Sequence, residues 1–149
     1  MILGNTHIEM LFKLLIILYL SIASFNDIKT YSISPKLCSV FSAAFILLKL
    51  ITNNNLLKTL LDLALGIIPG LATTLLAHLT DENIGYGDGL LIISLGIAMG
   101  FKNTFFICCI AFVLSGMVAL ILIFRKKSGK QTLPFIPFIF ISYIILLTI

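Results

Sequence analysis

The chain has 149 residues, 60% of them hydrophobic and only 11% charged, with a mean hydropathy of +1.17. These figures exclude a soluble globular domain and leave one all-α membrane domain over residues 1–149, a polytopic helix bundle of about six transmembrane helices. The net charge of +4 does not point to nucleic acid: the basic residues sit at the ends of apolar runs, which is the pattern of interface anchoring in a lipid bilayer.

The first helix is expected at about residues 8–25. Glu9 and Lys13 stand four apart in the acid-first order that favours an ion pair on a helix surface. Ser21-Ile22-Ala23 loosely fits a leader cleavage site, but Lys13 lies inside the apolar core and no base precedes it, so the segment is kept in the mature chain. Asp27 follows in a polar break that runs from Phe25 to Lys36, and Pro35 there favours a new helix start.

The second helix is expected at 37–51, short for a full span, with Lys36 and Lys49 reaching outward from its ends. Asn53 to Asn55 make a turn, and the third helix covers 56–79, bent by Pro69-Gly70. Asp62 lies one or two turns inside it with Lys58 four residues earlier, so an interfacial ion pair between them is expected over a functional acid. His78, near the other end, is read as a solvated interfacial side chain.

The third loop is acidic through Asp81 and Glu82 and ends in Gly85-Tyr86-Gly87-Asp88-Gly89. Here an acid is set between glycines where a polar loop meets an apolar run, and Gly85 and Gly87 remove bulk so that other backbone can come close to the carboxyl group. A fourth helix is expected at 89–101, with Gly89, Gly96 and Gly100 offering small packing surfaces. The fifth is expected at 103–124, before the basic cluster Arg125-Lys126-Lys127 with Lys130. The sixth covers 133–149 and begins in Pro134-Phe135-Ile136-Pro137. Cys38, Cys108 and Cys109 lie in apolar segments without metal-ligand spacing and read as small hydrophobes.

Six helices place the first, third and fifth loops on one side, and these hold most of the Lys and Arg. The positive-inside rule then puts them in the cytoplasm. Two helices separate Asp27 from Asp88, so both acids fall on that side, while Asp62 and Glu9 fall on the other. Two aspartates that meet share a proton and titrate as a unit. One takes a proton from a bound water, the water attacks an amide carbonyl, and the protonated partner hydrogen-bonds the developing oxyanion. No metal or cofactor is required. Asp88 opens a helix and Asp27 closes one, so the helix dipoles assign the negative charge to Asp88.

With these residues in view, the chain resembles the type IV prepilin peptidase family, membrane aspartic peptidases of the GxGD type. Asp27-Ile28-Lys29 with Ile33 is similar to the family's first aspartate motif, Ile84-Gly85-Tyr86-Gly87-Asp88 to its second, and Leu133-Pro134-Phe135-Ile136-Pro137-Phe138 to the start of its last helix. The chain departs in having Ile33-Ser34-Pro35 where members often have Ile-Pro-Asn, and Leu90 where they often have lysine. The resemblance implies Asp27 and Asp88 as the catalytic pair, positioned by Gly85 and Gly87, in a multi-pass protein of a bacterial cell membrane. The implied substrate is a prepilin-like subunit losing a short basic leader at the cytoplasmic face. Without the N-terminal CxxC region of many members, cleavage without methylation is expected. A basic leader would be drawn to Asp81 and Glu82, although solvated loop charges are the commoner reading. The main competing reading is a transporter or assembly subunit with an acidic proton pathway, and the sequence leaves self-association into a homo-oligomer open.

Overall fold

A computed structural model of the protein describes residues 3–30, 32–52, 55–79, 85–124 and 134–148. Asn53-Asn54, Asp81 and Glu82, the basic cluster at 125–130 and Leu133, all of which entered the sequence reading, lie outside the described residues. Among those described the secondary structure is entirely helical: α1 (Leu3–Thr30), α2 (Pro35–Thr52), α3 (Leu56–Leu79), α4 (Tyr86–Phe124) and α5 (Ile136–Thr148). Four of them are long and apolar enough to cross a membrane, and α5 is a shorter apolar helix of 13 residues. The expected count of about six spans is therefore not met by the described helices taken singly.

The difference centres on α4. At 39 residues it would measure about 58 Å if straight, nearly twice the hydrocarbon thickness of a bilayer. It is not straight, because Gly100 interrupts it with φ 76° and ψ 174°. That left-handed region is costly for any residue with a Cβ. Contacts show that the chain turns back there. Asp88 is near enough to Asp27 of α1 for their charges to interact, Gly100 lies against Asp62, and Phe112, twelve residues further on, packs in a tilted arrangement on Phe135 with ring centroids 5.0 Å apart. Phe135 immediately precedes Ile136, whose N–H bonds Asp27, so residues 88 and 112 share one end of the bundle. A straight helix would hold them about 36 Å apart.

The first arm of α4, 86–99, is the centre of the bundle. Leu91, Ile92, Ser94, Leu95, Gly96, Ile97 and Ala98 are all buried, the pattern of a helix covered on every side. It runs antiparallel to α3 at backbone contact: Gly89 meets Thr74, Gly70 meets Ile93, and a Cβ on either Gly66 or Gly96 would overlap the other's carbonyl. Helix α2 crosses the same arm through Ser42 Oγ, which donates to Ser94 Oγ at 3.0 Å. It is joined to α1 by Tyr19, Phe41 and Phe45 and by the Tyr19 hydroxyl on Cys38 Sγ. Helix α5 closes the bundle against α1, with Ile136 beside Asp27 and the Tyr143 hydroxyl donating to the Lys13 carbonyl.

Two expected ion pairs take a different form. Asp62 pairs with Lys49 of α2 rather than with Lys58, and among the described residues this is the only ion pair, so Glu9 and Lys13 are not joined. The Lys49 side chain is only 12% exposed, and an ammonium withdrawn that far needs a counter-charge. The exposed Lys58 does not, and neither do Glu9 and Lys13, where such pairs contribute little.

Candidate active site

The elements that carry the two acids are built differently from the sequence expectation. Helix α1 continues past residue 25 to Thr30, so Asp27 lies in its last turn and not in a loop. The hydroxyl of Thr30 donates to the carbonyl of Asn26 and closes that turn at 2.8 Å. Helix α2 then starts at Pro35, where a missing N–H costs nothing, while Ser34 supplies its carbonyl to Leu37 and Cys38. Helix α4 starts at Tyr86, and Asp88 lies in its first turn, with its N–H donating to the Gly85 carbonyl at 3.0 Å.

Asp27 is 6% exposed. Its Oδ2 accepts the Ile136 N–H at 3.1 Å, with the Phe135 N–H also bonding it, so this carboxylate occupies the N-terminus of α5. Asp88 is half-buried and lies close enough to Asp27 for their charges to interact. Ile33, from the segment between α1 and α2, seats against Gly87, while Gly85 stands beside the Asp88 carboxylate. A side chain at position 87 would press on Ile33, whereas a Cβ at position 85 would meet the Asp88 carboxylate at ordinary contact distance.

Helix dipoles therefore do not assign the charge to Asp88 alone. The C-terminus of α1 opposes a negative charge at Asp27, but the N-terminal N–H groups of α5 favour one there. Each acid thus stands at a helix N-terminus. Nothing in the local sequence around Asp27 signals this, because its partner is 109 residues away.

His78 is also more than a solvated side chain: its Nδ1 shares a 3.0 Å hydrogen bond with the hydroxyl of Tyr86, inside the glycine motif. Asp62 falls at the opposite end of the bundle, beside Gly100. A cavity of about 330 Å³ also opens at that end, lined by residues including Lys13, Lys49, Ala98 and Tyr143, and it takes no part in the site around the two acids. Among the described residues, no three His, Cys, Asp or Glu side chains cluster as a metal site would require. Cys38 and Cys108 are buried free thiols and Cys109 is exposed.

The geometry can be set beside known proteins. No curated protein and no solved structure matches the chain significantly. A model of the type IV leader peptidase family matches residues 14–123, a span that takes in both aspartates, α1 from residue 14 onward, all of α2 and α3, and α4 save its last residue. Because the match covers most of the chain, and because both motifs lie within it at one end of a membrane bundle, the protein belongs to the type IV leader peptidase family.

Proposed function

We propose that the protein is a membrane aspartic endopeptidase that removes a short basic leader from prepilin-like subunits, with Asp27 and Asp88 activating water. What supports this reading is that two acids from separate helices, at one end of an apolar bundle, come near enough for their charges to interact. Buried acids in membrane helices are expensive, and two of them brought together invite a functional explanation. In the reaction, one carboxylate takes a proton from water as the oxygen bonds to the scissile carbonyl carbon. The protonated partner hydrogen-bonds the oxygen that gains charge. Collapse of the tetrahedral intermediate breaks the C–N bond, and a proton from the pair passes to the leaving amine. That transfer returns the pair to its single proton, and the new carboxylic acid gives up its own proton to solvent. Because protons exchange within the pair, the two groups act as one unit, and neither is assigned a fixed role.

We infer further that α4's two arms cross the bilayer separately, giving six crossings with α5. The Lys and Arg distribution then orients the acids toward the cytoplasm. That is the side on which a leader not yet translocated is available. A substrate whose apolar helix follows the cut would lie in the bilayer beside the bundle, its cleavage site level with the polar end that holds Asp27 and Asp88.

The test is co-expression with prepilin-like substrates, reading leader removal as a gel mobility shift. Asp27→Asn and Asp88→Asn should each reduce processing to background. Retention of processing in either variant would remove the aspartyl mechanism.

A further inference from the structure

We propose that the His78–Tyr86 hydrogen bond is a brace that holds the glycine-rich turn, and Asp88 with it, in the reactive position. This makes His78 and Tyr86 positioning residues, and it rests on the reading of Asp88 as one of the reacting acids. The motif Gly85-Tyr86-Gly87-Asp88-Gly89 contains only two side chains beyond hydrogen. One belongs to Asp88. The other, Tyr86, is therefore the only side chain in the motif by which the turn can be tethered.

Two of the glycines, Gly87 and Gly89, serve close approach instead. Gly87 is seated on Ile33, Gly89 on Thr74, and Gly85 lies by the Asp88 carboxylate. Such a turn fits tightly but has wide backbone freedom, since glycine restricts φ and ψ less than any other residue. A tether at its head limits that freedom. Tyr86 is the first residue of α4 and His78 lies in the last turn of α3. Their 3.0 Å bond thus links the two helices across the base of the connection between them. Helix α3 is a firm anchor because it meets the first arm of α4 at backbone contact along Gly66 and Gly70. Asp88 lies two residues beyond the tether, so a shift of Tyr86 is passed to its carboxylate with little attenuation. Misplacement of a reacting group by about an ångström is enough to slow a reaction severely.

Both partners are exposed, Tyr86 at 43%. Loss of the bond leaves no buried polar group without a partner, and the variants should fold. The experiment measures leader-cleavage kinetics for Tyr86→Phe, His78→Ala, the double variant and His78→Gln, alongside hydrogen exchange of the segment 85–90. Each single change should lower kcat about 3–10-fold, the rate equivalent of one modest hydrogen bond, with KM nearly unchanged. The double variant should be no slower than the slower single one. His78→Gln, which keeps a hydrogen-bonding side chain, should recover part of the loss. Exchange in 85–90 should speed up in Tyr86→Phe and His78→Ala.

Wild-type rates in the single variants, or effects that multiply in the double variant, overturn the brace. If the wild-type protein cleaves no prepilin-like substrate, the peptidase reading fails on its own and exchange alone decides the brace. Unchanged exchange in both variants then rejects it, and faster exchange in both retains it.

Discussion

Asp27 performs a structural task as well as any chemical one: its Oδ2 receives the Ile136 N–H, a donor that α5 itself cannot satisfy. The three aspartates set within apolar helices share this habit. Asp88 lies in the first turn of α4, and Asp62 stands against Gly100, where the second arm of α4 begins. In each case the positive end of a helix dipole lies near a charge that the lipid would otherwise penalise, and Asp62 is met by Lys49 as well. The roles of Asp27 can be separated by substitution. Asparagine keeps a carbonyl oxygen to accept the Ile136 N–H, so Asp27→Asn should stay within about 0.5 kcal/mol of the parent while losing cleavage, as expected of a surviving neutral hydrogen bond. Alanine leaves a buried donor unpaired, and Asp27→Ala should cost about 1–3 kcal/mol more. Thermal unfolding in detergent checks both, and equal stability of the two variants would show that the bond does not hold α5.

At the level of elements, the glycines of α4 divide into those that touch another backbone and those that do not. Gly96 lies on Gly66 with no room for a methyl group, whereas Gly116 has nothing within 4 Å. Gly96→Ala should therefore push α3 and α4 apart and destabilise the bundle by about 1–3 kcal/mol. Gly116→Ala should be neutral or stabilising by about 0.5–1 kcal/mol, the ordinary gain from replacing a helix-interior glycine. Denaturation in detergent that showed the reverse order would mean that the two helices do not meet as described. The sequence made part of this visible. Hydropathy located the helices, because lipid selects apolar residues and polar breaks mark where it ends. It did not locate their ends: α1 runs on to Thr30 because a helix can continue into the interface with Asn26, Asp27 and Lys29 on it. Gly96 and Gly100 looked alike as small residues, yet one is a packing contact and the other a left-handed turn, a difference fixed by neighbours rather than by spacing. The shared side of Asp27 and Asp88 was legible because it follows from counting crossings. The α5 donors, the Lys49–Asp62 pair and the His78–Tyr86 bond were not, since each depends on how helices rotate against one another.

For the molecule as a whole, the outer surface is the membrane-facing one. Leu11, Leu18, Val40, Leu57, Leu65, Leu75, Phe106, Val113, Leu120 and Phe124 are all exposed, more apolar surface than water would tolerate on a monomer, while Ser24, Asp27, Ser94 and Ser142 turn inward. That inversion marks a membrane protein and makes its orientation a measurable quantity. Ser32, in the segment beside the acids, and Asn55, at the turn before α3, are both exposed and lie at opposite ends of α2. Cysteines introduced there singly, in a background with Cys38, Cys108 and Cys109 replaced by serine or alanine, should react with a membrane-impermeant maleimide from opposite faces. Position 32 should label only from the cytoplasmic side and position 55 only from outside. A third cysteine at Lys102, two residues past the Gly100 break, should label with position 55, because the arms of α4 reverse there. Labelling of position 102 with position 32 would mean that α4 does not turn back in the membrane. The second arm would then not return to Phe135, and the placement of α5 against Asp27 would lose its support.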